Sequence, residues 1–226
     1  MAKIIEEHYQ RIRRQAERAH RKYGHQIPEL IAQLAGPTQE EHDRAFELLS
    51  RMAPVIVSEL LAALEDPELD PLVEEEIVAI LGVTGDDDAR QAVWRFLQQN
   101  PDDPDRVSMA ALSLAGLGDE RGRPYLLQGL ESPKEEIVAN SVSGLILLGQ
   151  PEDIHTLRQI HRQHRTNREI RYGVANAVLS ILGETNQSTF NRTLDEIRTN
   201  FSDRDLWADI WAILESRFGT VPPPVH

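Results

Sequence analysis

Histidine and arginine crowd one stretch of the chain, where His155, His161 and His164 alternate with Arg158, Arg162, Arg165, Arg168 and Arg171. Imidazoles three residues apart share one face of a helix, so metal ligation is the first chemistry to test. A metal needs further imidazole or carboxylate ligands converging from another element, and nothing local supplies them. The group therefore reads as a solvated or partner-facing cluster, more positive at mildly acidic pH. His20 and His25, at the end of the first helix, read the same way. Asp86-Asp87-Asp88 suggests a cation site, but its place at the start of a helix points to capping and to stabilisation by the helix dipole. Enzyme signatures are otherwise missing: there is no phosphate-cradling glycine loop, no Gly-x-Ser-x-Gly elbow, no His-Glu-x-x-His, and no cysteine for a nucleophile, a thiolate zinc site or a disulfide. No catalytic residue, cofactor or metal is assigned.

The elements that must carry these side chains follow from periodicity and punctuation. Four helix endings recur, Leu81-Gly82-Val83-Thr84-Gly85, Leu114-Ala115-Gly116-Leu117-Gly118, Leu145-Ile146-Leu147-Leu148-Gly149 and Leu179-Ser180-Ile181-Leu182-Gly183, with terminal glycines spaced by 33, 31 and 34 residues. Such a period belongs to stacked helical repeats. A polar helix is expected at 3–22 and a short one through Leu34. Helix pairs follow at 39–52 and 54–65, 71–84 and 87–99, 104–117 and 120–131, 134–148 and 151–164, and 167–182 and 187–200. A last amphipathic helix spans about 203–217. Pro54, Pro71, Pro101, Pro104, Pro133 and Pro151 all fall at boundaries, where a missing amide costs least. Thr38-Gln39-Glu40-Glu41 offers a capping box. The endings read as helix C-termini that admit left-handed glycine.

Two ladders fix the register. An offset of 33 residues relates Leu126, Leu127 and Leu130 to Val93, Trp94 and Leu97, and the same offset again reaches Leu60, Leu61 and Leu64. Both helices of the unit therefore repeat together.

Charge is unevenly placed. The formal net charge is −13, and residues 40–88 hold fifteen acids against Arg44 and Arg51. Lys3 to Lys22 is basic, as is Arg158 to Arg171. Such asymmetry bears on partner choice more than the total does. The N-terminus has no apolar core of signal-peptide length, and no window approaches the roughly 18 uninterrupted apolar residues of a membrane span, so a soluble, cytoplasmic protein is expected.

These features resemble the HEAT-like repeat family, in particular the short-repeat variety named after phycobilisome lyases. Its first helix carries a Val-Arg near the start and a Leu-Gly-x-x-Gly-Asp ending. Arg106 and Arg171 match the arginine, and Gly85-Asp86 and Gly118-Asp119 match the ending. Val73 and Ile137 stand at the arginine position in the other units, and Gln150 and Glu184 follow the glycine. The expected fold is all-α: a right-handed α-solenoid of about five to six helix pairs in a single domain over 3–219. Residues 3–35 and 203–219 would act as caps, 39–200 as repeats and 220–226 as a flexible Pro-rich tail.

By the same resemblance, the second helix of each pair lines the concave side. Three aligned rows on those helices are mostly non-aliphatic: Ser58, Gln91, Pro124 and His155; Ala62, Arg95, Gln128 and Gln159; Glu65, Gln98, Glu131 and Arg162. Steps of four then three residues put them on one exposed stripe. Trp94 sits in the adjoining leucine ladder. It either packs between helices or anchors a partner, a role in which tryptophan is enriched. The expected function is a non-catalytic protein-interaction scaffold using Gln91, Trp94, Arg95, Gln98, Gln128, His155, Arg158, Gln159, Arg162 and Arg165. Trp94 is its apolar anchor, and Arg158, Arg162 and Arg165 steer an acidic partner. The resemblance also implies an alternative, a phycobilin lyase or chaperone-like protein for tetrapyrrole-bearing antenna proteins. A third reading, nucleic-acid binding through the arginine patch, is opposed by the acidic total.

Overall fold

A computed structural model describes the backbone of residues 2–219 and the side chains from Gln10 to Gly219. The expected packing of Ile4, Ile5 and Tyr9 and the loose tail at 220–226 lie outside the described residues. Within them every regular element is helical, and the chain divides into two compact units, Met1–Gly122 and Arg123–His226.

The first unit contains α1 (Ala2–Tyr23), α2 (Ile27–Gln33), α3 (Gln39–Met52), α4 (Val57–Leu64), α5 (Pro71–Leu81), α6 (Asp87–Gln99) and α7 (Pro104–Gly116). Helix α5 packs on both α3 and α7, and α6 packs on α4, α5 and α7, so each expected pair touches the next pair inside the unit. Helix α1 lies on α3. The second unit contains α8 (Arg123–Gly129), α9 (Glu135–Leu148), α10 (Ile154–Gln163), α11 (Arg168–Gly183), α12 (Gln187–Thr199) and α13 (Arg204–Phe218). Helix α11 is its hub, touching α9, α10, α12 and α13.

Each unit buries its own rungs of the leucine ladder. Leu60, Val93 and Leu126 are all buried, as are Leu97 and Leu130, whereas Leu61, Trp94 and Leu127 are half-buried at the edge of the apolar stripe. Burying each such aliphatic side chain stabilises the fold by about 1.5–3 kcal/mol before entropy is counted. Caps start the helices where the sequence places them. The Thr38 hydroxyl accepts from the Glu41 amide at 3.2 Å and donates to the Glu41 carboxylate at 2.9 Å. Asp86 accepts from the amides of Asp88 and Ala89, so the aspartate triplet contributes a cap at α6.

Two details depart from expectation. Several second helices, and α13, open with a 3-10 turn: Ala53–Val55, Glu120–Gly122, Pro151–Asp153 and Phe201–Asp203. Pro54 and Pro151 lie in such turns, and tightened first turns of this kind are common at helix starts. Left-handed glycine appears at two of the four endings, Gly85 (φ 69°) and Gly118 (φ 68°). Gly149 is extended, and Gly183 closes α11 without leaving right-handed geometry. The upstream glycines do different work. A Cβ at Gly116 would strike the Gly82 carbonyl oxygen, so α5 and α7 meet backbone to backbone at their C-termini.

Candidate partner-binding site

Of the ten candidate residues, Gln91, Trp94, Arg95 and Gln98 belong to the first unit, and Gln128, His155, Arg158, Gln159, Arg162 and Arg165 to the second. The first set rides on α6. Gly85 and the Asp86 cap fix where that helix begins, Val93, Phe96 and Leu97 bury its inner face, and Gln91, Arg95 and Gln98 are left exposed. Gln91 and Arg95 line a cleft of about 310 Å³ whose apolar walls include Leu61 and Leu64 from α4 and Phe96 from α6. Glu65, Glu74 and Asp88 line it too. The Glu74 carboxylate is held by Arg106, 3.2 Å away, which also grips Glu75 at 2.9 Å and donates to the Asn100 side chain at 2.9 Å. Arg95 makes no ion pair among the described residues. The cleft therefore carries apolar walls, a guanidinium free to turn outward, and two carboxylates that Arg106 does not hold.

Trp94 is absent from that lining. Gly118 closes α7 in a Schellman turn, with the Asp119 amide donating to Leu114 O at 2.8 Å and the Gly118 amide to Ala115 O at 2.9 Å. The turn delivers Asp119 to Arg121, which binds its carboxylate from Nε at 3.0 Å and from Nη2 at 2.6 Å and lies 4.8 Å above the Trp94 ring. The hydrogen bond from Arg121 holds the Asp119 carboxyl below its ordinary range, against the opposing effect of burial. One face of the indole is thus covered from within the chain. Arg90 reaches the same turn, donating to Leu117 O at 3.2 Å.

In the second unit part of the arginine and histidine run is paired within the chain. Arg158 on α10 donates from Nε to Asp203 Oδ2 at 2.8 Å, and Arg162 Nε stands 3.1 Å from Asp203 Oδ1 while donating to Arg158 O. Asp203 is in the helix-start position of α13, yet its side chain caps nothing and serves the two arginines instead. His161 is buried, 1 % exposed, and its Nε2 lies 2.7 Å from Asp209 Oδ2 of α13. Asp209 also accepts a two-pronged contact from Arg171 of α11, Nε at 3.0 Å and Nη2 at 2.7 Å. Burial pushes the His161 imidazole below its ordinary range, against the pull of Asp209.

The expectation of a solvated histidine cluster is therefore corrected at His161, which is buried, while His155 is exposed. The three imidazoles separate, each to its own partner: His155 lies 3.2 Å from the Gln159 amide nitrogen, His161 meets Asp209, and His164 stands 3.4 Å from Glu135. The acids come from helices distant in sequence, α9 and α13, which local inspection does not reach. Among the described residues no group of three metal-ligating side chains converges. Gln128, His155, Gln159 and Arg165 remain exposed.

Two further polar clamps were not singled out in the sequence. Arg123 Nη2 binds the buried Asp153 at 2.7 and 2.9 Å. Arg123 is 33 residues beyond Arg90 (123 − 90), so the register held a signal for both arginines reaching the turn ahead of the next helix. On α3, His42 lies 3.2 Å from Asp43 and 3.1 Å from Glu76 of α5, and these bonds, that to Asp43 first, raise its pKa.

No protein-family model matches the chain, and no curated protein matches it at a significant level. No helix among the described residues is long and apolar enough to cross a membrane.

Proposed function

We propose that the chain is a HEAT-like helical-repeat adaptor that binds another protein through the cleft between α4 and α6. The observation that carries this reading is Arg95: an exposed guanidinium without an ion pair among the described residues, set in a cleft with leucine and phenylalanine walls. The packing of α5 on α3 and α7, and of α11 on α9 and α13, supports the repeat reading, since in such proteins each pair leans on its neighbours. Gln91 and Gln98 flank the arginine as adaptable hydrogen-bonding groups. Glu65 and Asp88 favour a partner that brings a basic group alongside an apolar side chain, rather than the purely acidic partner suggested by the arginine count.

The arginine run in the second unit supports the scaffold and nucleic-acid readings less than its composition suggests, because Asp203 and Asp209 neutralise Arg158 and Arg171 from inside. Affinity purification from the native cell with the wild-type chain and with Arg95→Glu tests the proposal. Loss of a specific partner that then binds the purified wild-type chain directly, and binds the variant at least tenfold more weakly, is expected. An identical set of partners for both baits rejects the site.

A further inference from the structure

The basic run at the start of the chain is used by nothing described so far. On α1, Ile12, Gln15, Ala19 and Lys22 recur at three- and four-residue steps and so form one stripe. That stripe is one wall of a groove of about 730 Å³, and the end of α3, the turn after it and Val83 form the other. Ile12 is 40 % exposed and Val83 64 % exposed, so both leave apolar surface in water at the groove. Arg18, Lys22 and Arg51 stand around it, and no acid lines it among the described residues. Arg51 meets Glu47 only at 3.6 Å, with both side chains mostly in solvent, a contact weak enough to exchange. The Lys22 ammonium lies 4.8 Å from the Tyr23 ring centroid, which keeps the charge at the groove's end.

We propose that this groove docks an acidic amphipathic helix from a partner protein. From Ile12 to Tyr23 the wall runs about 16 Å at helical rise, the length of three turns. A helix laid in an apolar groove between two elements contacts it through i, i+3, i+4 and i+7 side chains, which here cover Ile12, Pro54 and Val83. Its carboxylates meet Arg18, Lys22 and Arg51. The surroundings select a short ligand over an extended polyanion: Arg11, Arg13, Arg14 and Arg21 extend the positive charge along α1, but residues 40–88 follow with fifteen acids against two arginines, so a long nucleic acid or an anionic lipid surface is repelled beyond the cations of α1. A three-turn helix stays within about a Debye length, roughly 8 Å, of them. The site is independent of the α4–α6 cleft and has the opposite sign.

The test uses a fluorescein-labelled synthetic peptide of about three helical turns, with leucines at i, i+3, i+4 and i+7 and glutamates on its other face. Its anisotropy is followed against the full chain. Saturable binding is expected, weakened roughly tenfold or more by the exposed double variant Arg18→Glu/Lys22→Glu and by Ile12→Asp, and weakened by added salt. Arg95→Glu leaves it unchanged, which separates this site from the cleft. Circular dichroism melts confirm that the surface variants fold, and Ile12→Ala serves as the milder change if Ile12→Asp does not. Equal binding of the same peptide with lysine in place of glutamate overturns the proposal. So does an unchanged affinity in the double variant, or tighter charge-dependent binding of phosphatidylserine vesicles or single-stranded DNA than of the peptide.

Discussion

Arg95 on α6 and Arg158 on α10 both lie on helices expected to be the second members of their pairs, and their fates are opposite. Arg95 is exposed and makes no ion pair among the described residues, whereas the Arg158 side chain is only 14 % exposed and bound to Asp203, itself 0 % exposed. Nothing on either helix decides this. Asp203 lies 45 residues beyond Arg158, at the start of α13, and no acid of that kind reaches Arg95. A cation is available to a partner only where the chain's own carboxylates leave it so. Counting arginines along a helix face therefore overstates a binding surface.

The contrast can be broken from the acid side. Asp203→Ala leaves two guanidiniums facing a buried, vacated site, and the second unit should lose about 3–5 kcal/mol, read as a lower midpoint in urea with little change in slope. Asp88→Ala at the α4–α6 cleft removes an exposed acid and should change stability by less than about 0.5 kcal/mol. Equal losses would show that the two arginine environments do not differ in the way the distances indicate.

A smaller effect probes the backbone contact under the first unit. Gly116→Ala puts a methyl against the Gly82 carbonyl, and overpacking of this kind costs about 1–3 kcal/mol. A melt that matches the wild type would mean that α5 and α7 can part without penalty.

Two histidines sharpen the comparison by sign. The His161 pKa is lowered from 6.5 by burial, so the unfolded chain takes up its proton first as pH falls. The stability tied to His161 is complete above the unfolded value and is lost as pH drops through the depressed one. The His42 pKa is raised from 6.5 by Asp43 and Glu76, so its contribution is complete below that value and is lost as pH climbs through the raised one. Imidazole NMR titrations should place His161 below and His42 above an exposed reference. A reversed order would mean that the Asp209 hydrogen bond, which raises the His161 pKa, outweighs burial, and that Asp43 and Glu76 do not hold the His42 imidazolium.

The smallest effect is on the free side of the comparison. Arg95→Ala should leave stability within about 0.5 kcal/mol of wild type. Its consequence should appear only in partner affinity.

Much of this architecture was legible in the sequence because it is local and periodic. Helix positions, the Thr38 and Asp86 caps and the buried rungs Leu60, Val93 and Leu126 follow from spacing and capping chemistry. The pairing of charges was not legible, since Asp203 and Asp209 read as ordinary helix-start and helix-face acids until α13 is laid beside α10 and α11. Trp94 was read as either packing between helices or anchoring a partner, and it is half-buried beneath Arg121. Its cover, Arg121, could not be anticipated, because the left-handed Gly118 expected from the sequence does not by itself show that Asp119 holds Arg121 over the ring. The basic run on α1 was visible as charge, but the groove requires the end of α3 and Val83 to close it.

The arginine lid on Trp94 also has an optical consequence. The chain holds three tryptophans, and Trp207 and Trp211 sit together on α13 with ring centroids 6.0 Å apart. Trp94 is therefore the lone indole of the first unit, and replacing the α13 pair with phenylalanine would leave an emission signal that reports on that unit alone. Release of Arg121 would change the polarity at the ring, so a shift in emission maximum would register the opening of the Gly118 turn before the helices themselves unfold.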